Sequence, residues 1–367
     1  MDLGAAPLSR LPDFPWDTIA AEAALARSHP DGIVDLSVGT PVDPVPAGVQ
    51  QALAGATNWP GYPTTQGTQA LREAAAGWLV RTAASIHLDS DAVLPVAGTK
   101  ELVAWLPTLI GVGDGALVAV PSLAYPTYRV GAELSRARVV VADHADDIPA
   151  ETALVWINSP SNPTGAVLSV DQMAALVARA REVGALVASD ECYLSLGWDA
   201  EPVSVLDARV NGGSLDGVLA VHSLSKRSNL AGYRCGFVAG DPAVIAVLLG
   251  VRKHAGMIVA GPIQDAAVSA LDDDAHAVEQ KQRYRARREL LSQALQSAGF
   301  TIEHSQAGLY LWATAGEPAI TSVRRLAALG ILVAPGTFYG AAGERHVRVA
   351  LTATDERVAA AVQRLSA

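Results

Sequence analysis

Lys226 stands where a chain can make a lysine chemically reactive. It ends the segment Ser223-Leu-Ser-Lys226, which closely follows the apolar run Val218-Leu-Ala-Val221, and Arg234 comes eight residues later. A lysine becomes a nucleophile towards carbonyl groups when a desolvated, cationic site lowers its pKa. Arg234 could lower the pKa of Lys226 and also bind a phosphate group. For either residue alone, a loop lysine or a solvated arginine is the simpler interpretation.

Short apolar runs alternate with amphipathic segments through the middle of the chain, a pattern typical of an α/β sheet. The runs show little polar alternation, as expected of strands whose two faces are both covered by helices. Seven strands are predicted, at residues 93–96, 116–120, 138–142, 153–158, 185–189, 218–222 and 235–239. The helices predicted between them include 100–110, 169–183 and 243–254, the second of which begins with Ser169, Asp171 and Gln172.

The pattern changes after about residue 270, where a smaller α+β domain is predicted. Its elements are a long charged helix at 275–298, strands at 300–303, 308–313, 331–333 and 346–351, and helices at 321–329 and 355–365. The amino-terminal segment, with Phe14-Pro-Trp16 and a helix that runs to Ser28, is expected to pack against this domain. The chain thus divides into a large domain at 45–270, with a mostly parallel seven-stranded sheet flanked by helices, and a small domain formed by 1–44 and 271–367.

Composition and charge exclude several classes of function. The 367 residues are 50% hydrophobic and 17% charged, enough to bury a large core. The net charge of −10 argues against a nucleic-acid surface, which requires a basic face. No apolar stretch is long enough to span a bilayer, and the amino terminus lacks the basic start and apolar core of a signal peptide. These features predict a cytoplasmic protein that does not enter the membrane.

The cysteine pattern predicts neither a disulfide framework nor a metal site. Cys192 and Cys235 lie far apart in sequence, and neither a CxxC nor an HExxH motif occurs. Both cysteines are therefore interpreted as small buried hydrophobic residues in a reducing compartment.

Unusual polar residues follow the predicted strands, at the sheet edge where open α/β proteins bind ligands. Gly98-Thr-Lys100 follows the strand at 93–96 and opens a helix, so its amides and the Thr99 hydroxyl could hold a phosphate; a helix cap would look the same. Asn162, fixed by the proline that follows it, could hold an aromatic hydroxyl or could serve in a turn.

Asp190 and Tyr193 follow the strand at 185–189. A carboxylate at the end of a buried strand is unfavourable unless a cation pairs with it. The partner of Asp190 is either a structural arginine or the protonated ring nitrogen of a cofactor.

Together these residues meet the requirements of pyridoxal phosphate chemistry. That cofactor needs a lysine for a Schiff base, a carboxylate at the pyridinium nitrogen and donors to its phosphate. Asn162 and Tyr193 are candidates for the 3′-oxygen. Tyr125 is a candidate for stacking on the ring, although core packing explains it equally well, and Tyr128 is interpreted as structural.

In order and spacing, these motifs resemble the fold-type I, class I/II aminotransferases, over almost the whole chain. The matching segments are Gly39-Thr-Pro41, Tyr62-Pro, Gly67, Leu71-Arg72, Gly98-Thr-Lys100, Asn162-Pro-Thr-Gly165, Asp190-Glu-Cys-Tyr193, Ser223-Leu-Ser-Lys226, Arg234 and Arg348. The resemblance implies an enzyme with pyridoxal 5′-phosphate as cofactor and amino acids and 2-oxo acids as substrates. It also implies a homodimer whose active sites lie at the subunit interface.

The resemblance assigns cofactor roles residue by residue. Lys226 would form the Schiff base, Asp190 would pair with the pyridinium nitrogen, and Tyr193 and Asn162 would bind the 3′-oxygen. Phosphate binding would fall to Ser223, Arg234 and the amides of Gly98, Thr99 and Lys100, with Tyr62 reaching the cofactor of the neighbouring subunit. The stacking segment departs from the family pattern, because Leu123 stands where relatives place the aromatic residue and Tyr125 lies two residues later.

The resemblance also assigns the substrate site and the reaction. Arg348, which would otherwise be interpreted as a structural strand arginine, would clamp the substrate α-carboxylate, with Gly39 and Asn162 beside it. The implied reaction is a ping-pong transamination in which the freed Lys226 amine is general base and acid.

Four segments are more closely similar to the actinobacterial succinyldiaminopimelate aminotransferases of lysine biosynthesis. They are Leu123-Ala-Tyr-Pro-Thr-Tyr128, Ser189-Asp-Glu-Cys-Tyr-Leu194, Gly197-Trp-Asp-Ala-Glu-Pro202 and Val251-Arg-Lys-His-Ala-Gly256. The implied donor and acceptor are glutamate and N-succinyl-2-amino-6-oxopimelate. Arg252, Lys253 and Tyr339 are candidates for contacts with the other carboxylates of this long acceptor, although roles in a surface helix or loop fit them as well.

Three alternatives remain open. An aminotransferase for aspartate, kynurenine or another amino acid would share every cofactor residue. A pyridoxal-phosphate C–S lyase would use the same fold and the same lysine. A non-catalytic regulator with an aminotransferase-like domain would require an added DNA-binding module, for which the amino-terminal segment is too short and the charge is wrong.

Overall fold

The computed structural model describes residues 7–83 and 88–366. Residues 1–6, on which the prediction about a signal peptide depends, lie outside the described residues. The strands of the described chain are β1 (Val34–Asp35), β2 (Val93–Val96), β3 (Leu117–Val120), β4 (Arg138–Val141), β5 (Thr152–Asn158), β6 (Leu186–Asp190), β7 (Val218–Ser223), β8 (Gly236–Gly240), β9 (Thr301–Glu303), β10 (Tyr310–Thr314), β11 (Ile331–Leu332), β12 (Ala334–Pro335) and β13 (Val347–Ala350). Its helices are α1 (Ala20–Arg27), α2 (Ala47–Gly55), α3 (Gln69–Thr82), α4 (Thr99–Leu109), α5 (Thr127–Leu134), α6 (Val170–Val183), α7 (Ala208–Asn211), α8 (Leu224–Arg227), α9 (Pro242–Ala255), α10 (Gly261–Asp272), α11 (Ala275–Ser297), α12 (Ala319–Ala328) and α13 (Asp355–Leu365).

The seven strands β2 to β8 form one sheet in the order β2-β8-β7-β6-β5-β3-β4. Strands β7, β6, β5, β3 and β4 run parallel to one another, and β8 is antiparallel to both β7 and β2. The prediction of a mostly parallel seven-stranded sheet is therefore confirmed.

Both faces of this sheet are buried, which explains the continuous apolar runs. In β5, Val155 and Ile157 belong to one hydrophobic cluster, whereas Leu154 and Trp156 belong to the cluster on the other face. Successive side chains of a strand point to opposite faces, so a strand covered by helices on both sides needs apolar residues at consecutive positions.

Helix α6 shows how local sequence sets the boundaries of the covering helices. The Ser169 hydroxyl accepts a hydrogen bond from the Gln172 amide at 3.2 Å, and the Gln172 side chain accepts one from the Ser169 amide at 2.9 Å. This reciprocal capping box satisfies two donors at the helix start. The predicted start of this helix is confirmed.

The remaining strands build a second, smaller layer. Strands β12, β13, β10 and β9 form an antiparallel sheet in that order, and β1 pairs in parallel with β11. The strand predicted at 331–333 is β11, one residue shorter, and it is followed by the unpredicted β12, which joins a different sheet. The strands of the large sheet lie within 45–270 and the others lie outside that range; the division there remains a prediction.

The amino-terminal segment packs on the carboxy-terminal part of the chain, as predicted. Ile19 and the α1 residues Ala23 and Ala26 form a hydrophobic cluster with Ala327 of α12 and Leu332 of β11. In the part of the chain that the structure describes, no helix combines the length and the apolar composition required to cross a bilayer.

Candidate active site

Lys226 lies in the single-turn helix α8, directly after β7, and is half-buried. Its Nζ donates a hydrogen bond to the carbonyl oxygen of Gly39. Burial lowers the pKa of Lys226, and the charges of Arg348 and Arg234 lower it further, outweighing the opposite effects of Tyr310 and Cys192. The amine therefore gives up its proton more easily than an ordinary lysine, as a nucleophile or general base requires.

Asp190 ends β6 and is only 7% exposed. Its Oδ2 accepts a hydrogen bond from the Tyr128 hydroxyl at 2.8 Å, and its Oδ1 accepts one from the Cys192 amide at 3.3 Å. Burial raises the pKa of Asp190, while the hydrogen bonds from Cys192 and Tyr128 oppose that shift. Within 7–83 and 88–366 no lysine or arginine pairs with this carboxylate, which favours a cationic ligand atom over a structural arginine as its partner.

Tyr128, interpreted from the sequence as structural, belongs to the site. It lies in α5, fully buried, with its ring stacked on Trp156 at 4.7 Å between centroids and its hydroxyl on Asp190. Its position after a predicted strand, at the sheet edge that also carries Asp190, is a signal that the sequence contains.

Glu191 forms a second buried acid next to Asp190, which the sequence analysis did not identify. Its carboxylate accepts hydrogen bonds from the Ser204 hydroxyl at 2.6 Å and the Val205 amide at 2.7 Å, and burial raises its pKa to about 7. Nε2 of the buried His222 lies 3.4 Å from it. Because Glu191 directly follows Asp190, these contacts also fix the backbone at Asp190.

The predicted phosphate-binding residues converge because β2 and β7 end at the point where the antiparallel β8 between them begins. Val96 of β2 and Ser223 of β7 both pair with Gly236 of β8. Helix α4 begins at Thr99, so the first amides of that helix point out of the sheet edge as an anion site. The buried Ser223 hydroxyl accepts a hydrogen bond from the Ser225 amide at 3.1 Å and retains its own proton for donation.

Gly98 allows Arg234 to lie against the start of α4. The φ of Gly98 is +83°, and a Cβ built there would overlap Nη2 of Arg234. Arg234 is exposed, with its Nη1 donating to the Ala231 carbonyl at 2.8 Å. The Lys100 side chain points instead to the amino-terminal segment, with Nζ 5.8 Å from the Phe14 ring, so only its backbone amide faces the phosphate site.

Arg348 of β13 is a buried arginine, 3% exposed. Its Nη1 donates to Asn162 Oδ1 at 2.8 Å and its Nη2 donates to the Ser37 carbonyl at 2.7 Å. None of its partners among the described residues is a carboxylate. A guanidinium with these neutral partners is available to a substrate carboxylate.

Tyr310 of β10 joins these groups and was missed by the sequence analysis. Its hydroxyl lies 3.2 Å from that of Tyr193, and the guanidinium carbon of Arg348 lies 3.9 Å from its ring centroid. Burial raises the pKa of Tyr310, but the charges of Arg348 and Lys226 outweigh burial and the net pKa is lowered. A single tyrosine in an apolar strand of the small layer carries no sequence signal for this position.

Gly39 lies between Lys226 and Tyr310. Segment 36–39 runs beside β13, where the Ala350 amide donates to the Leu36 carbonyl at 2.8 Å and the Thr352 hydroxyl donates to the Val38 carbonyl at 3.0 Å. A Cβ on Gly39 would overlap the Tyr310 hydroxyl and lie 2.8 Å from its Cζ. The position of Tyr310 therefore leaves no room for a side chain at Gly39.

We expect Gly39→Ala to raise KM for amino acid substrates about 10-fold, because overpacking displaces Tyr310 and Arg348. The effect is steric, since φ at Gly39 is not in the left-handed region. Steady-state kinetics measure it, and a second change, Tyr310→Phe, should restore part of the loss. Gly55→Ala is the control, because nothing lies within 4 Å of a Cβ at Gly55. An unchanged KM in Gly39→Ala would contradict this account of the site.

Three other sequence candidates have different environments. Tyr125 is half-buried, with its ring edge-on to Tyr128 at 5.8 Å. Tyr62 is 100% exposed and does not reach the site of its own chain. Arg252, a candidate for distal carboxylates, is fully buried and paired with Glu101 at 2.9 Å, so it is not available to a substrate.

The assembled donors fit pyridoxal phosphate. A lysine of lowered pKa, a buried carboxylate without a cationic partner in the described chain, and a helix start beside Arg234 and Ser223 lie along one sheet edge. Arg348, the buried arginine that could bind a carboxylate, lies in β13 of the smaller layer. This set can hold a phosphorylated pyridine ring and present an amino acid to it.

Comparison with known proteins agrees with this geometry. A sequence model of aminotransferase class I and II matches residues 31–365. The chain is 61% identical over 370 residues to the probable aminotransferase Rv1178 of Mycobacterium tuberculosis, covering 99% of this chain and 88% of that protein. It is 56% identical over 360 residues to the 4-dedimethylamino-4-oxo-anhydrotetracycline transaminase OxyQ of Streptomyces rimosus, covering 98% of this chain and 100% of OxyQ.

The fold matches solved structures of the same kind. The structure of a probable N-succinyldiaminopimelate aminotransferase from Thermus thermophilus superposes with a TM-score of 0.86 at 27% identity, covering 96% of this chain and 99% of that one. The two chains therefore share a fold along nearly their whole length. The chain belongs to the class I and II aminotransferases, fold-type I enzymes that depend on pyridoxal phosphate.

Proposed function

We propose that this aminotransferase is an N-succinyl-LL-2,6-diaminopimelate:2-oxoglutarate aminotransferase, which transfers an amino group between glutamate and N-succinyl-2-amino-6-oxopimelate. The observation that carries the proposal is Arg348, buried beside Asn162 and without an acidic partner among the described residues. Every partner in this reaction carries a carboxylate next to the reacting carbon, which such an arginine can bind bidentately. The four segments that resemble succinyldiaminopimelate aminotransferases, and the name of the solved Thermus neighbour, favour this substrate class.

The residues of the site have separable roles in this reaction. When bound, pyridoxal phosphate supplies an aldehyde and a ring that accepts electrons from the substrate α-carbon. Lys226 would attach the cofactor and, once released, would take the proton from the substrate α-carbon and deliver it to C4′ of the cofactor. Asp190 would keep the ring nitrogen protonated, Asn162 and Tyr193 would donate to the 3′-oxygen, and Arg348 would hold the carboxylate.

The phosphate would lie at the start of α4. Ser223, Arg234 and the amides of Gly98, Thr99 and Lys100 surround that position, and the helix dipole favours an anion there. Tyr125 would stack on the ring. Anchoring the phosphate fixes the ring relative to Lys226 and Asp190, so that the proton transfer has a defined geometry.

We also propose that the enzyme is a homodimer with shared active sites. The side chain of Tyr62 is 100% exposed, although tyrosine side chains usually bury much of their apolar surface. In a dimer, Tyr62 would donate to the phosphate of the neighbouring cofactor. A cytoplasmic location remains a prediction from the sequence.

A second candidate acceptor is a polycyclic ketone. OxyQ is a transaminase whose name gives 4-dedimethylamino-4-oxo-anhydrotetracycline as its substrate, and it is 56% identical along its full length. In this alternative Arg348 would bind only the amino acid donor, and the acceptor would be held by other groups.

A screen of half-reactions tests the proposal. The cofactor-loaded enzyme is mixed with single amino acids, and the change of the cofactor absorbance is followed. We expect glutamate to convert the cofactor and the succinylated oxopimelate to reverse the change. Turnover of the oxo-anhydrotetracycline without turnover of the oxopimelate would favour the second candidate, and release of pyruvate and ammonia from cystathionine would instead indicate a C–S lyase.

A further inference from the structure

Tyr339 has a buried hydroxyl that no group of the described chain satisfies. Its side chain is 4% exposed, and the hydroxyl oxygen has no hydrogen-bond partner among residues 7–83 and 88–366. Two other tyrosine hydroxyls of the site have partners, since Tyr128 donates to Asp190 and Tyr193 contacts Tyr310. Buried polar groups are almost always hydrogen-bonded, so an unsatisfied hydroxyl beside a candidate carboxylate-binding arginine indicates a ligand atom.

The ring of Tyr339 lies against Arg348. The guanidinium carbon is 4.8 Å from the Tyr339 centroid and 3.9 Å from the Tyr310 centroid, so Arg348 is held between two tyrosine rings. Arg348 Nε is also buried without a partner within the described chain. Two unsatisfied donors thus belong to side chains that are in contact with each other.

The backbone fixes Tyr339 next to the segment that carries Tyr125. Its carbonyl accepts a hydrogen bond from the Ala124 amide at 2.8 Å, which places Tyr339 beside Tyr125. Burial raises the pKa of Tyr339, Arg348 lowers it, and Tyr310 and Tyr125 raise it. The hydroxyl therefore remains protonated and can donate a hydrogen bond.

We propose that Tyr339 is a substrate-binding residue whose hydroxyl donates a hydrogen bond to the carboxylate that Arg348 holds. This inference rests on the proposed role of Arg348 in binding the substrate α-carboxylate. An ionised carboxylate has lone pairs for about four donors, and the Arg348 guanidinium already uses two of its five N–H groups on Asn162 and Ser37, so a carboxylate there has room for a further donor. Because the ring that carries the hydroxyl packs on the guanidinium, the donor serves the α-carboxylate and not a distal group, and every amino acid and 2-oxo acid substrate uses it.

The test is Tyr339→Phe, which removes only the hydroxyl and retains the ring on Arg348. We expect the Kd values of propionate and succinate for the cofactor-loaded enzyme, measured by calorimetry, each to rise about 10-fold, which corresponds to about 1.4 kcal/mol. KM for the amino donor and the 2-oxo acid should rise by a similar factor with little change in kcat, as expected for binding common to ground and transition states. The absorbance of the bound cofactor should not change.

Tyr284→Phe is the matched control. Tyr284 is also fully buried, but its hydroxyl lies 3.4 Å from Asn229 Oδ1 and takes no part in the site. Carboxylate affinity in this variant should equal that of the wild type, and the Tm of each variant shows whether it folds.

The outcomes separate this inference from the proposed function. Unchanged affinities in Tyr339→Phe would overturn the inference, and so would a loss confined to succinate, which would assign the hydroxyl to the substrate side chain. Arg348→Gln in the same assay tests the underlying role: if it leaves propionate binding intact, the proposed role of Arg348 fails. Simple carboxylates make both results independent of which amino acid is the natural substrate.

Discussion

Replacing Lys226 by alanine is expected to lower kcat by about 10⁴-fold or more and to abolish the visible absorption band of the covalently held cofactor. The amine has two roles, attachment of the cofactor and proton transfer at the substrate α-carbon, and general acid–base catalysis alone contributes about 10²- to 10⁴-fold. The lowered pKa of Lys226, due first to burial, makes the neutral amine accessible for both. Spectra and single-turnover kinetics of the loaded variant measure the two losses separately.

Lys281→Ala is the control for this prediction. Lys281 is also partly buried, but its Nζ lies over Trp198 at 5.9 Å, away from the sheet edge that carries the site. It should retain the activity and spectrum of the wild type. A small primary amine added to Lys226→Ala should restore part of the proton transfer, because it can occupy the space of the missing side chain. Full transaminase activity in Lys226→Ala without added amine would contradict the assignment.

Much of the fold could be predicted because the local sequence of each strand and helix reflects the surroundings in which it packs. The strand from 218 to 223 is apolar except for its last two residues, as expected of a strand covered on both faces. Ser169 and Gln172 form the capping box that predicts the start of α6. The boundaries of the short strands could be predicted less well from the sequence. The apolar run at 331–333 does not reveal that the chain turns between two sheets there, since that depends on partners distant in sequence.

The candidate site was predictable where its residues follow strands of the parallel sheet. Asn158 and Asp190 are paired in register, so residues that end successive strands are neighbours in space. What the sequence could not decide was the partner of Asp190, because a structural arginine could come from any element. Only the packing shows that its neighbours are Tyr128 and Cys192.

The residues contributed by the small layer were the least predictable. Tyr310 and Tyr339 lie in apolar segments, where a tyrosine is usually core packing, and their functional position depends on how β10 and the segment after β12 face Arg348. Arg348 itself was assigned only through family resemblance. In the structure it is a buried cation with neutral partners among the described residues, as a group that binds a substrate carboxylate would be.

The second large effect is expected for Asp190→Asn, which retains the shape of the side chain and an acceptor for Tyr128 but removes the negative charge. Removing one partner of a buried ion pair typically costs about 3–5 kcal/mol, so kcat should fall by about 10²- to 10⁴-fold because the ring nitrogen loses its counter-ion. The cofactor-free enzyme should respond in the opposite direction. There the buried carboxylate has no cationic partner in the described chain, so Asp190→Asn should raise the Tm.

The pH dependence of the stability of the cofactor-free protein distinguishes loss of the Asp190 charge from a general structural defect. Burial raises the pKa of Asp190 in the folded protein, so the folded state binds its proton more tightly than the unfolded state. The cofactor-free wild type should therefore lose stability as pH rises from the unfolded pKa through the folded one, and Asp190→Asn should lack that component.

Tyr128→Phe is the matched variant, because it retains the charge and removes only the hydrogen bond that stabilises it; it should lower the Tm without the cofactor and reduce kcat about 10-fold. A cofactor-free Asp190→Asn that melts below the wild type at every pH would show that the carboxylate is held by a cation of the protein and is not reserved for the cofactor.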